Sequence, residues 1–293
     1  MHCNILEANC EKYLKKSKDV FDLTFLDPPF NQGKDYASHF DEMPESEYWK
    51  WMTRICKLVY DHTSDGGAIY FMQREKNVEH VLEGLRKSGW TFQNLIIWKK
   101  KTSAVPCENK FGLHFQIIAF ATKGKSPRVF NKLRIDIPLL VTEKYPRPNG
   151  VYVTDVWDDI RELTSGYFAG DEALRLKNGE RLHKQQSPIH LLARIILSST
   201  KVGDSVFDPF AGTGTTLVVG KQLERNTIGT ELDSANYQAI LGRLAGLRES
   251  DRITKYRKYY VFTENLNEIW PAPEAIIRRL HDYQEQTQPL DVG

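Results

Sequence analysis

Cysteine is scarce in this sequence: four residues (Cys3, Cys10, Cys56, Cys107) in a chain of 293, with no Cys-x-x-Cys pair. So few thiols, so placed, suggest neither a disulfide framework nor a zinc site, and no metal is expected. Long hydrophobic runs are missing too. Stretches such as Leu191 to Leu197 fall far short of the roughly 20 residues a membrane span needs. The opening MHCNILEANCEKYL has no basic leader followed by a long apolar stretch, so a cytosolic (cytoplasmic) protein with no membrane contact and no targeting signal is expected. There is no internal repeat or low-complexity tract, and 41% apolar with 27% charged residues exclude disorder, collagen and coiled coil. Net charge is nearly absent, since 40 Lys+Arg stand against 38 Asp+Glu for a formal +2. Taken whole, that balance argues neither for nor against a polyanionic partner.

The balance hides an asymmetry. From Trp98 to Arg147 the basic residues are Lys99, Lys100, Lys101, Lys110, Lys123, Lys125, Arg128, Lys132, Arg134, Lys144 and Arg147, opposed only by Glu108, Asp136 and Glu143. This segment carries +8 and the remainder of the chain −6. A solvated surface explains such a stretch as well as a polyanion-binding face does.

Short β-branched and aromatic runs alternate with longer periodic segments, which predicts an α/β fold: a doubly wound, mostly parallel sheet with helices on both faces. The seven expected strands are Asn4 to Leu6, Asp22 to Leu26, Ala68 to Met72, Leu95 to Trp98, Phe115 to Ala121, Ser205 to Asp208 and Thr227 to Glu231. Helices are expected over Glu47 to Tyr60, Val78 to Ser88, Pro188 to Ser199, Thr215 to Leu223 and Ser234 to Arg248. Thr122 to His183, rich in Pro, Gly and charge, breaks the rhythm and reads as an insertion with irregular structure of its own. Past Arg248, RITKYRKYYVF and the amphipathic EAIIRRLHDYQEQ look like an appendage packed on the core or on a second subunit.

Two motifs carry chemistry. Asp27-Pro28-Pro29-Phe30 follows the apolar run FDLTFL. At the carboxyl end of a parallel strand it would set a carboxylate, two φ-locked residues and an aromatic ring in the crevice where such sheets bind ligands. Asp27 and the Pro28 carbonyl would then be fixed acceptors with Phe30 as a flat wall, a site for a planar group bearing NH2; as an isolated tetrapeptide, a plain Pro-Pro turn explains it equally well. The second is Asp208-Pro209-Phe210-Ala211-Gly212-Thr213-Gly214-Thr215-Thr216, between a strand and a helix. Its glycines permit a sharp turn and close approach of a ligand. Leu217 stands where a dinucleotide fingerprint has its third glycine, and Lys221 is followed by Gln222 rather than Ser or Thr, so neither that fingerprint nor a phosphate-binding loop is present. Glu231, nineteen residues beyond Gly212 at the end of the next strand, can accept from both hydroxyls of a ribose. Together these point to a nucleoside cofactor without a pyrophosphate.

With these motifs the sequence resembles the S-adenosylmethionine-dependent amino-methyltransferases of DNA. DPPF resembles their DPPY-type catalytic motif, DPFAGTGTT their F-x-G-x-G cofactor motif, and HKQQSPIHLLARIILSSTKVGD their His-containing Q-K-P segment. The order, catalytic motif first and cofactor motif last, is that of the circularly permuted beta class with its target-recognition region between. The resemblance implies a Rossmann-like methyltransferase fold divided into a catalytic half (1–121), a target-recognition insertion (122–183), a cofactor-binding half (184–248) and an appendage (249–293). It implies that Asp27, Pro28, Pro29 and Phe30 are catalytic. It implies that Asn9, Asp27, His183, Ser187, Pro188, Asp208, Pro209, Phe210, Gly212, Thr213, Gly214, Thr215, Thr216, Glu231 and Leu232 line the cofactor. Phe30 stands where Tyr is common, Ser187 where Lys is usual, and Asn9 where Asp is frequent.

The implied reaction is site-specific methylation of the exocyclic N6 of a flipped-out adenine in double-stranded DNA, since Asp heads the motif where cytosine-N4 enzymes more often have Ser. Cytosine N4 is the alternative. Lys99, Lys100, Lys101, Lys123, Lys125, Arg128, Lys132 and Arg134 are then expected to contact phosphates, and Asn31 to His39 to fold over the base. A cognate restriction endonuclease and a homodimer are partners that the resemblance allows. Pro106-Cys107 looks superficially like the nucleophile of cytosine-C5 enzymes, but it does not end the catalytic strand, and an ordinary loop thiol is expected. A nicotinamide or flavin oxidoreductase, a noncatalytic DNA-binding subunit, and an RNA or protein methyltransferase are the remaining readings, disfavoured by the DPPF motif, the intact site and the motif order respectively.

Overall fold

Each of the seven β-branched runs folds as a strand and each of the five periodic segments as a helix, with small shifts at their ends. The protein's structure, a computed structural model, describes residues 2–271 apart from 32–34, 37–38, 41–42, 103–106, 137–148, 164–169, 177 and 184. The amphipathic segment at 274–286, most of the loop at 31–39, Pro106, Lys144 and Arg147 lie outside the described residues.

In chain order the elements are β1 (Cys3–Glu7), α1 (Cys10–Leu14), β2 (Phe21–Leu26), β3 (Asp35–Tyr36), β4 (His39–Phe40), α2 (Glu45–Asp61), β5 (Thr63–Arg74), α3 (Val78–Lys87), β6 (Thr91–Lys99) and β7 (Phe115–Thr122). There follow β8 (Arg134–Ile135), β9 (Val151–Tyr152), β10 (Val156–Trp157), α4 (Ile189–Ser199), β11 (Ser205–Asp208), α5 (Thr215–Gln222), β12 (Asn226–Glu231), α6 (Ser234–Ala245), α7 (Thr254–Arg257) and α8 (Leu266–Ile269). The main sheet has eight strands in the order β1-β12-β11-β2-β5-β7-β6-β10. The expected count of seven is corrected by β10, a two-residue strand from the insertion that pairs parallel with β6, Val156 opposite Ile97 and Trp157 opposite Trp98. Burial of Trp157, with the Arg194 guanidinium 5.2 Å from its ring centroid, holds that strand. The insertion is thus built into the core sheet.

Alternation along the central strands splits the core into two layers. Ala68, Tyr70, Met72, Ile118 and Phe120 face the α4 side, whereas Ile69, Phe71, Ile117, Ala119 and Ala121 face α2 and α3. The α2 helix is amphipathic and buries Tyr48, Met52, Ile55, Cys56 and Val59. Every residue of α4 is buried, as befits a helix covered on all sides. Its inner side meets the sheet, where Tyr70 and Ser199 share a hydroxyl hydrogen bond of 2.7 Å. On another side, Arg194 donates to Asp159 of the insertion (Nη1 to Oδ1, 2.8 Å) and to the Tyr260 hydroxyl (3.0 Å). The start of the expected appendage also joins the core: Tyr260 and Trp270 are buried, and Arg225 donates to the Ile269 carbonyl at 2.7 Å.

Two features of the sheet decide what can meet at one site. First, β11 pairs parallel with β2, Phe207 opposite Thr24, so the two motif-bearing strands end side by side. Second, β7 runs antiparallel to both β5 and β6. The chain leaving β7 therefore exits at the edge where the parallel strands begin, opposite the edge where β2, β6, β11 and β12 end.

Candidate active site

The turns after β2, β11, β12 and β1 surround a cavity of about 860 Å³. Asp27, Pro28, Pro29, Asn9, His183, Ser187, Asp208, Pro209, Phe210, Gly212, Thr213, Thr215, Thr216, Glu231 and Leu232 all line it. Residues from distant parts of the chain meet here because each follows, or packs on, the carboxyl end of a parallel strand, the place where such sheets leave a crevice.

Asp27 sits at the end of β2, partly open to the cavity and shielded from bulk water. Its Oδ2 accepts a 3.0 Å hydrogen bond from the Ser187 hydroxyl, just ahead of α4. Burial pushes its carboxyl up to about 8; the Ser187 donor opposes the rise and the charge of nearby Asp208 adds to it. Behind it the Tyr48 hydroxyl donates to the Pro29 carbonyl at 2.7 Å, and Gln73 donates to Tyr48 at 3.0 Å, so α2 and β5 brace the turn.

Asp208 accepts from the Phe210 N–H at 3.1 Å and from Thr216, yet burial lifts it to about 7, with Glu231's charge adding to the rise. Glu231 accepts from the Gly212 N–H at 2.7 Å through one oxygen and from the Asp233 N–H at 2.8 Å through the other. Burial raises its pKa as well. These bonds tie the glycine turn to the end of β12, and a carboxylate has further lone pairs for two ligand hydroxyls. Gly214 adopts φ 75°, and a Cβ there would come within 2.8 Å of Ile240, so only glycine makes this turn into α5 without a shift. His183 faces Gly212; burial, and then the charge of Arg181, push its imidazole down to about 4, leaving it neutral. Asn9 presents its side chain to the cavity but already accepts the Lys12 N–H at 3.1 Å as the N-cap of α1.

Three expected site residues do not line the cavity. Phe30 is only 3% exposed and packs in the core with Leu23, Phe25 and Tyr70, which corrects its expected place as a wall beside Asp27. Pro188 is the N-cap of α4, and Gly214 shapes the backbone. The aromatic wall comes instead from Trp51 and Phe210, edge to face with ring centroids 5.7 Å apart. Glu47, Lys50, Trp51 and Arg54, at spacings of three and four, form one face of α2 toward the cavity. That periodicity is visible in the sequence; which neighbour the face meets is not.

The basic stretch does not form a single face. Lys99, Lys100 and Lys101 stand at the end of β6, on the same edge as Asp27. Their loop is fastened by Glu162, which accepts the N–H groups of Lys101 (2.8 Å) and Thr102 (3.0 Å). Lys123, Lys125 and Arg128 follow antiparallel β7 and lie at the opposite edge, which corrects the expectation that they surround the target site. Lys123 donates to the Thr63 carbonyl at 2.8 Å and lies 5.0 Å from the Tyr60 ring centroid, while Arg128 pairs with Asp22 and Asp204. Lys132 is exposed, and Arg134, on the β8–β9 ribbon, stacks 4.3 Å from the centroid of Tyr152. Cys107 does not line the cavity.

Three carboxyl groups, of Asp27, Asp208 and Glu231, held above their ordinary range by burial make the cavity favourable for a cation. S-adenosylmethionine, with a sulfonium, an ammonium and a ribose, fits that set. No helix among the described residues is long and apolar enough to cross a membrane.

Comparison with known proteins agrees with this geometry. The DNA methylase family model matches residues 21–241. The type II methyltransferase M1.MboII of Moraxella bovis is 28% identical over 251 residues, 78% of this chain and 92% of that protein. The DNA adenine methyltransferase YhdJ of Escherichia coli (strain K12) is 27% identical over 270 residues, 87% of each. Among solved structures, the M1.HpyAVI–SAM complex shares the fold, with a TM-score of 0.55 at 22% identity over 82% of this chain and 98% of that one. The chain belongs to the DNA methylase family, the N6/N4 methyltransferases of DNA that use S-adenosylmethionine.

Proposed function

We propose that this protein methylates the exocyclic N6 of an adenine turned out of double-stranded DNA into the mouth of the cavity beside Asp27. The observation that carries this reading is the Asp27 carboxyl, shielded from bulk water, hydrogen-bonded to Ser187 and next to Asp208 at the cofactor motif.

An amino group on a base is a poor nucleophile because its lone pair is delocalised into the ring. Asp27 and the Pro28 carbonyl accept its two N–H groups, which draws the nitrogen toward sp3 geometry and localises that lone pair. Ser187 holds one oxygen of Asp27, so the other is the one offered to the base. The bound cofactor supplies an electrophilic methyl on its sulfonium. Glu231 takes the ribose hydroxyls, and the glycine turn at Gly212 and Gly214 sets the depth of the ligand. A nitrogen that gains a methyl sheds a proton, and a carboxylate with its pKa lifted toward 8 can hold it. Turning the base out of the helix costs a few kcal/mol; stacking on an aromatic, here Trp51 or Phe210 rather than buried Phe30, offsets about 1–3 kcal/mol of it. Lys99 and Lys101 neutralise phosphates on this edge, and the insertion reads the flanking bases.

Adenine is favoured over cytosine by the Asp at the head of the motif and by the likeness to a relative named as an adenine methyltransferase. The likeness to a type II methyltransferase supports a place as the modification partner of a restriction endonuclease. Sequencing with modified-base detection of DNA from cells expressing the protein tests both base and site. N6-methyladenine at one recurring sequence is expected; N4-methylcytosine, or no modification, would overturn the reading.

A further inference from the structure

Arg181 lines the cofactor cavity two residues before His183, in the segment that leads into α4. Its Nη1 donates to the Leu163 carbonyl at 2.8 Å, which fixes the guanidinium in place. Its Nε and Nη2 are buried and meet no acceptor. Burial, and then the charge of Arg175, hold its pKa below the usual arginine range, so the charged form is kept at an electrostatic penalty in the ligand-free protein. Buried N–H groups are bonded almost without exception in folded proteins, and an orphaned pair on a charged group marks a place for a ligand. Nε and Nη2 form the side edge of the guanidinium, two parallel donors whose spacing matches the two oxygens of a carboxylate.

The surroundings narrow the ligand group further. Asp27, Asp208, Glu231, Asp233 and Glu47 line the cavity, so its wall is rich in acidic side chains that offer an entering anion no counter-charge. The other described cations of the wall are committed or exposed: Arg54 pairs with Glu11 and points largely to solvent, and Lys50 is exposed. His183 is neutral. S-adenosylmethionine carries one anionic group, the carboxylate of its amino-acid arm. We propose that Arg181 binds that carboxylate through Nε and Nη2, and that this contact orients the methionyl arm along the segment before α4, so that the sulfonium points toward Asp27. The inference rests on the assignment of this cavity to the cofactor.

The test compares two ligands on the DNA-free protein by titration calorimetry: S-adenosylmethionine and its decarboxylated analogue, which lacks only the carboxylate. The parent is expected to bind S-adenosylmethionine about ten- to hundred-fold more tightly than the analogue, the range of a charged bidentate contact. Arg181→Gln should lose that preference by weakening S-adenosylmethionine alone, and Arg181→Lys should restore part of it. Equal affinity of the parent for both ligands overturns the role of Arg181 and leaves the cofactor site standing, whatever the stability of the variants. Failure of the parent to bind either ligand overturns the cofactor assignment as well. A phosphate of the DNA could be drawn to the same donors. Unchanged S-adenosylmethionine binding in Arg181→Gln, with weakened binding of a DNA duplex, would assign the fork to DNA and overturn the proposal.

Discussion

The Ser187 hydroxyl donates a 3.0 Å hydrogen bond to Asp27 across 160 positions of sequence, joining the turn after β2 to the segment that opens α4. Ser187 lines the cavity, as expected of a cofactor-side residue, and its hydroxyl also holds the Asp27 carboxylate. Removing the donor by Ser187→Ala should lower methyl transfer on the order of ten-fold. Because that bond favours the ionised form, its loss should also move the rising limb of the pH–rate profile to higher pH. Ser187→Thr, which keeps a hydroxyl, should recover both; a rate loss without a shift of the profile would reduce Ser187 to packing.

Asp27 makes stability depend on pH. Its carboxyl is raised from 3.8 to about 8 in the fold, so the protein favours the protonated form. That stabilisation is complete below about pH 4 and is lost as pH rises through about 8. Asp27→Asn, neutral at every pH, should therefore melt higher than the parent at pH 9 and close to it at pH 4. Saturating S-adenosylmethionine, a cation, should narrow the gap. Thermal melts at the two pH values read it directly, and a variant less stable at pH 9 would show that Asp27 is not held above its usual range.

The insertion is anchored on α4 by Arg194, which is fully buried and donates to both oxygens of Asp159. Asp159→Asn would leave a buried guanidinium without its counter-charge, at a cost of about 3 kcal/mol. Chemical denaturation measures this. A change within experimental error would mean that β10 and the buried Trp157 hold the insertion unaided.

The two edges of the sheet hold different basic residues, Lys99 and Lys101 on the Asp27 side and Lys125 on the other. Neutralising Lys99 and Lys101 together should weaken DNA binding across sequences and lower the slope of log affinity against log salt by about 2. Lys125→Gln, at the far edge, should leave both unchanged. Equal effects from the two edges would require a DNA path that wraps the sheet.

How much of this was legible in the sequence differs from residue to residue. Asp27 and Asp208 could be found because Asp-Pro pairs and a glycine turn, set directly after β-branched runs, have few uses other than at strand ends. Their adjacency followed from the order of motifs. The direction of β7 was not legible, because a β-branched run looks the same read parallel or antiparallel; yet that direction carries Lys123, Lys125 and Arg128 away from the site. Strand β10 spans only Val156–Trp157, too short for any alternation to show. Phe30 was misplaced because an aromatic after a Pro-Pro turn can face either the crevice or the core, and the room left among Leu23, Phe25 and Tyr70 decides it. Arg181 stood out in no pattern: two unpartnered N–H groups are a property of three-dimensional surroundings alone.

The role given to Asp27 is tested most directly by nucleoside mass spectrometry of duplex DNA after a single turnover with the parent and with Asp27→Ala, alongside the affinity of each for S-adenosylmethionine. N6-methyladenine from the parent and none from the variant, with cofactor binding largely kept, is the expected result. An active Asp27→Ala, or N4-methylcytosine from the parent, would be incompatible with adenine chemistry at this carboxylate.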